Sequence, residues 1–479
     1  MSSDKITLKL TRKTALLPST AIIILLAAPA ASLVAQQTTK RDDHPDIELF
    51  LQIVHQDKQL ANEALLKIAQ QWRIGYAGII WDIARLIRPP GPQLIRFFQL
   101  INFLEQQTGQ QFGYDLEQWQ DWIWEQQYYP HPDYALFKGL WYRQIDPLFE
   151  DFFPKETKSI IRLDEIDWGG VSVNGIPPLE YPEHLDPARA TYLDGNDLVF
   201  GITVNGKARA YPKRILAWHE LVIDKLGGTE LTIVYCTLCG TVIPYDSVPG
   251  GKHLKFGTSG LLYRSNKLMF DHETLSLWNT FKGLPVVGKL VDSGLQLKPY
   301  PVVTTTWNEW SSKHPTTTVL SLETGHKRDY SEGAAYRDYF STDDLMFRVS
   351  KTNDRLRNKQ EILGILLNNP SHIEKPSTLA ITADFLKRNR VFHTRFSELN
   401  LVVVTSKGGA NRVYDAQDNI FVHHVDEKNI VDENNREWHI TEDGLILVGN
   451  PNTQHIRLPA QRAFWFGWYA QFPDTALIE

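Results

Sequence analysis

The chain opens its patterned region with helices. In "ALLKIAQQWRIGYAGIIWDIARLI", Leu65, Ile68, Ala69, Trp72, Ile79, Ile83 and Leu86 recur at helical spacing, and Pro89-Pro90-Gly91-Pro92 ends the pattern. "PQLIRFFQLINFLEQQTG" starts a second helical run at Pro92. "YDLEQWQDWIWEQQYYP" gives a third, with Asp115 as its N-cap and Trp119, Trp122 and Ile123 on one face. Residues 45–150 therefore read as a helical domain, either a small bundle or paired HEAT-like repeats whose usual task is protein contact.

From about residue 160 the texture changes to β-branched runs broken by Gly, Pro and Asn. "GITVNGKARAYP" predicts a hairpin, because Asn205-Gly206 is the favoured pair of a type I′ turn. "LGGTELTIVYC" and "TVIPYD" predict two further strands. The sequence also answers itself. Pro301, Trp307, Trp310, Pro315 and Thr317 have the same spacing as Pro459, Trp465, Trp468, Pro473 and Thr475. "WNTFKGLPVVG" is echoed by "WHITEDGLILVG", and "LTIVYCTLCGTVIPYD" by "LVVVTSKGGANRVYD". Residues 160–478 thus read as a mainly-β module of two diverged repeats, roughly 195–320 and 380–478. The three-residue step within each Trp pair puts both rings on one helix face, which favours a repeated core element over a carbohydrate-stacking surface.

Composition is that of an ordinary globular protein, 42% hydrophobic and 22% charged over 479 residues. The net charge of −6 and the lack of a basic block argue against nucleic-acid binding. The N-terminus adds a location. Lys9, Arg12 and Lys13 precede a long uncharged run with its apolar centre at Ile22–Ala28 and a small-x-small site at Ala28-Pro29-Ala30. Residues 1–35 therefore read as a signal peptide or, uncleaved, as a membrane anchor. Both place the rest outside the cytoplasm, in the periplasm, envelope or medium, where thiols can oxidise.

Only two cysteines occur, Cys236 and Cys239, in "YCTLCGTVIPYD". β character on both sides predicts strand, tight turn, strand, rather than the helix start of thioredoxin-like enzymes. A Gly after the second Cys suits a metal knuckle, which would hold Zn, Cu or Fe with further ligands. His219 in "WHE" is the first candidate for a third ligand, with His272 and His253 weaker, and Glu220 could orient it or act as a base. The same pair could instead cycle between dithiol and disulfide. A static staple is the poorest use, since so short a loop removes little unfolded-state entropy. "FGTSGLLYRSNKLMFD" offers Arg264 and Asp271 as further candidate catalytic groups, beside a Gly-Thr-Ser-Gly stretch that reads as an anion nest or a β-turn. "ETGHKRDYSEGAAYRDY", with Arg328, Asp329 and Tyr330, reads as a loop bordering a pocket.

"AYPKRILAWHELVIDKLGGTELTIVYCTLCGTVIPYD", "FGTSGLLYRSNKLMFDHETLSLWN" and the ending "FWFGWYAQFPDT" resemble the domain-of-unknown-function family numbered 3179, found in secreted and envelope proteins of bacteria and archaea. The resemblance spans roughly 160–478 and implies a shared fold and site but no reaction, with the helices outside it. Three functions stay open: a metal-centred site, catalytic or not, a thiol–disulfide oxidoreductase, and an envelope scaffold recruiting a protein partner through its helices.

Overall fold

The computed structural model describes residues 43–368 and 375–479, of which His44–Glu479 form one compact unit. The uncharged N-terminal run lies outside the described residues. Among those described, no helix is long and apolar enough to cross a membrane.

Six helices lead the described chain, at Ile47–Gln52, Lys58–Gln70, Ala77–Ile87, Leu94–Thr108, Leu116–Glu125 and Tyr134–Tyr142. The pattern over 64–87 is broken at Gln71, where the first of its two helices ends. The backbone passes so close to Tyr129 that a Cβ on Gly75 would lie 2.2 Å from its carbonyl oxygen. Asp115 caps as expected, accepting from the N–H groups of Glu117 and Gln118. The helix Ala77–Ile87 is buried almost all round, and its Asp82 is fully buried. Lys138 Nζ donates to Asp82 at 2.9 Å and Tyr134 donates at 3.1 Å, so this charge is paired and hydrogen-bonded where water cannot reach it. Arg85 carries the helices to the β region through its ion pair with Asp167.

Five sheets follow. In one, Val302–Thr306, Leu198–Val204 and Lys207–Pro212 pair antiparallel in that order, and Thr318–Leu320 joins parallel to the last. In another, Gln461–Phe464, Glu361–Leu367 and Ser377–Thr382 pair antiparallel, and Ala476–Ile478 joins parallel. Over these four strands the two have the same order and the same senses, and His184–Leu185 adds a fifth strand to the first. The second sheet includes Glu361–Leu367, and its hairpin shares almost no letters with "GITVNGKARAYP". That earlier hairpin turns as expected, with Asn205 at φ 48° and Gly206 at φ 73°.

The Trp pairs lie on short helices, Trp307–Lys313 and Trp465–Gln471, and all four rings are buried. Trp310 donates to Thr317 at 2.9 Å and Trp468 to Thr475 at 3.0 Å, which accounts for the matched spacings. Each indole lies flat on a strand glycine. A Cβ on Gly201 would sit 2.2 Å from Trp310, and one on Gly364 would sit 2.3 Å from Trp468. Gly201→Ala and Gly364→Ala should each lower unfolding stability by about 1–3 kcal/mol, the usual cost of overpacking, as read by chemical denaturation.

Candidate active site around a buried dithiol

The strands Thr229–Cys236 and Thr241–Asp246 pair antiparallel, and Cys236 closes the ladder opposite Thr241. Gly240 takes the left-handed φ of 60° that turns the chain back. Cys236 thus ends its strand and Cys239 lies within the turn that follows, both as free thiols and both buried. Three elements cover them. Phe464 donates its N–H to the Cys239 carbonyl at 2.8 Å. The helix Trp465–Gln471 passes so near that a Cβ on Gly467 would lie 3.0 Å from Cys239 Sγ. Tyr339, from the segment joining the two similar sheets, donates its hydroxyl to the Leu238 carbonyl at 2.8 Å.

The hairpin Phe256–Tyr263/Asn266–Asp271 supplies polar contacts from the other side. Asn266 Nδ2 approaches Cys239 Sγ at 3.7 Å, and Cys239 Sγ lies 3.6 Å from the Ser265 carbonyl. Lys267 directs its backbone N–H at Cys236. Its buried ammonium donates to the Glu220 carbonyl at 2.7 Å and stands 3.6 Å from the Glu220 carboxylate.

These neighbours divide the two thiols. Burial opposes ionisation of Cys236, and so does the Glu220 charge. Donation from the Cys239 thiol and from the N–H groups of Lys267 and Cys239 outweighs both, so Cys236 lies below the ordinary thiol range. Burial drives Cys239 well above that range, and donating to Cys236 raises it further. Burial also lowers the Lys267 ammonium, against the pull of Glu220 and Cys236. Glu220, Leu238 and Lys267 line a narrow cleft of about 50 Å³, whose other walls are mostly apolar (Val171, Ile176, Leu261, Met346 and Phe347 among them).

The other expected ligands do not gather here. Among the described residues, no group of three or more His, Cys, Asp or Glu is placed to hold a metal ion. His219 ends the helix Lys213–His219 rather than entering a strand. Its Nδ1 meets the Pro177 carbonyl at 2.8 Å and its Nε2 the Tyr330 hydroxyl at 2.6 Å, so the ring is held away from the sulfurs. Glu220 follows at φ 55°, and this left-handed cap swings it toward Lys267. His253 and His272 are exposed in loops. Arg264 pairs with Glu165 and donates to the Ala470 carbonyl at 2.8 Å. Asp271 accepts from the Trp278 indole at 3.0 Å and from Thr274 at 2.8 Å, and Asp432 takes the same part for Trp438 at 3.0 Å. Asp271 therefore organises a turn, and Arg264 joins distant segments. Gly-Thr-Ser-Gly is neither nest nor turn but part of the strand Phe256–Tyr263, where Ser259 donates to the Leu268 carbonyl at 2.6 Å.

Lys267, Asn266 and Gly467 were not picked out by sequence. Lys267 had one signal, a lone cation in the strand "NKLMFD", where it is buried with the rest. Gly467 had another, since it occupies the helix position that Glu309 occupies in the earlier of the matched helices.

Fold and site together define a mainly-β protein with an N-terminal helical part and one buried Cys-x-x-Cys pair. The chain belongs to the family described as "Protein of unknown function (DUF3179)", whose model matches residues 173–475. No curated protein matches the chain. No solved structure does either.

Two measurements follow from the electrostatics. Thiolate absorbance near 240 nm should show one ionisation below the ordinary thiol range, and Lys267→Met should move it upward by removing the nearby positive charge. Burial lowers His219 from 6.5 to about 4, helped by His326 and Arg328 and opposed by the Pro177 carbonyl. The unfolded ring takes its proton near 6.5 and the folded ring only near 4, so stability should fall as pH drops through that window. His219→Gln should flatten the slope of unfolding free energy against pH there.

Proposed function

We propose that the protein is a dithiol–disulfide oxidoreductase working through Cys236 and Cys239. The observation that carries this is the pairing of two free, buried thiols, one eased toward the thiolate and the other held protonated against it. The Cys236 thiolate attacks one atom of a two-electron acceptor. A bond forms to sulfur while the acceptor's own bond breaks, and the departing fragment takes the electron pair and a proton. Cys239 sulfur then attacks Cys236 sulfur. The Cys236–Cys239 bond forms, the second fragment leaves with its electron pair, and it takes up the Cys239 proton. Two electrons and two protons have then passed from the dithiol to the acceptor.

The basic and then apolar N-terminus supports a location outside the cytoplasm, where such acceptors occur. The matched sheet orders and Trp–Gly contacts support reading the β module as two copies of one unit, the later lacking thiols. The central, almost wholly buried helix Ala77–Ile87 favours a bundle over a HEAT-like stack, with partner recruitment as its open alternative.

Equilibration in dithiothreitol redox buffers, followed by alkylation and mass counting, tests the reading. Both thiols should disappear together and reversibly, and Cys236→Ser or Cys239→Ser should abolish the couple. Thiols that stay reduced in strong oxidant would defeat it. Stoichiometric zinc, copper or iron in protein purified without chelator, lost in Cys236→Ser, would point to a metal centre instead.

A further inference from the structure

Resting on that dithiol reading, we propose that the acceptor is a small hydroperoxide, entering by the cleft that Glu220, Leu238 and Lys267 line, with the Lys267 ammonium protonating the departing oxygen.

Access sets the size limit. Cys236 is 2% exposed and Cys239 is fully covered, so neither sulfur can meet the disulfide of a folded protein at the surface. Leu238, which lies between the cysteines, and Lys267 line the cleft, neither sulfur does, and its space of about 50 Å³ admits only a small molecule. Attack on a disulfide needs three sulfurs nearly in line, with the substrate's two halves extending away. The wall formed by Leu261, Leu268 and Phe347 leaves little room for that. A peroxide needs only its O–O bond beside the thiolate, and a small alkyl group suits the apolar walls.

The polar end of the cleft fits the proton requirement. Breaking O–O leaves an alkoxide or hydroxide, which must be protonated as it departs. Lys267 is a cation on the cleft wall whose own N–H is directed at Cys236, and its lowered pKa makes it a readier donor. The Glu220 carbonyl and carboxylate hold the ammonium in place.

The chemistry balances in two steps. Cys236 thiolate attacks the terminal oxygen, an S–O bond forms, O–O breaks, and the leaving oxygen takes the electron pair and the Lys267 proton to become an alcohol, or water from hydrogen peroxide. Cys236 is then a sulfenic acid. Cys239 sulfur attacks Cys236 sulfur, S–S forms, S–O breaks, and the hydroxide released takes the Cys239 proton to leave as water. Lys267 regains its proton from solvent, equal to the one Cys236 gave up on ionising.

Reduced full-length protein mixed separately with hydrogen peroxide, tert-butyl hydroperoxide, glutathione disulfide and diamide provides the test, with disulfide read by alkylation and mass. Both peroxides should oxidise the pair far faster than glutathione disulfide. Cys239→Ser should stop with one added oxygen on Cys236, trapped by dimedone. Lys267→Gln should lower the peroxide rate, normalised to the thiolate fraction, by on the order of a hundredfold; a purely structural Lys267 would leave that normalised rate unchanged and remove it as donor. Faster oxidation by glutathione disulfide, or no dimedone adduct in Cys239→Ser, would overturn the peroxide assignment. Disulfide with diamide but not with peroxide would sink this proposal alone, whereas no disulfide with any oxidant would sink the dithiol reading.

Discussion

Everything at the site depends on how closely the helix Trp465–Gln471 can approach the cysteine turn, and Gly467 sets that approach. With hydrogen in place of a side chain, the helix rests on Cys239 and keeps water from the sulfur. The same approach lets Phe464 bond the Cys239 carbonyl and brings Trp468 onto Gly364. The matched helix and turn meet in the complementary way. Glu309 lies over Gly408, whose added Cβ would be 2.4 Å from the carboxylate, and Ser406 donates to that carboxylate at 3.0 Å. Where one contact has a thiol beneath a glycine, the other has a carboxylate above one.

That exchange explains how the thiol-free turn stays ordered. Its surroundings are ionic: Glu442 is buried and pairs with Arg412 at 2.8 Å and with Arg457. Burial opposes its charge, but the two guanidiniums outweigh that and hold its carboxyl well below the usual range. Removing one partner would strand a buried charge, so such clusters hold one arrangement firmly even where their net stabilisation is small. The dithiol lies in a mostly apolar cluster instead, with Leu221, Trp278 and Trp468 among its members. One of the two matched contacts is thus fixed by charge, while the other leaves a titratable pair in a mostly apolar setting.

Much of this was legible from local pattern. The helical run, the Asn205-Gly206 hairpin, the strand–turn–strand form of the cysteine stretch and the inward Trp pairs all arise from neighbours in sequence, where periodicity and turn chemistry act directly. What was not legible depends on distant contacts. His219 sits close to Cys236 in sequence, yet the helix ending there and the Tyr330 hydroxyl turn it elsewhere. Lys267 reaches the thiols because a hairpin folds over them, and no local pattern reports that register. Arg264 and Asp271 looked chemical because they are polar in an apolar stretch, but their partners are a carbonyl, a carboxylate and an indole that complete turns and joints.

Arg264 also bears on the order in which the molecule is completed. It joins Glu165, the hairpin that carries Lys267, and the end of the helix that covers Cys239. The cysteine turn is synthesised well before the helix Trp465–Gln471 that covers it. A chain emerging N-terminus first therefore carries both sulfurs uncovered until the helix Trp465–Gln471 arrives and Arg264 can clasp it. During that interval the pair is open to any thiol or oxidant in the compartment, and maturation ends when the door shuts.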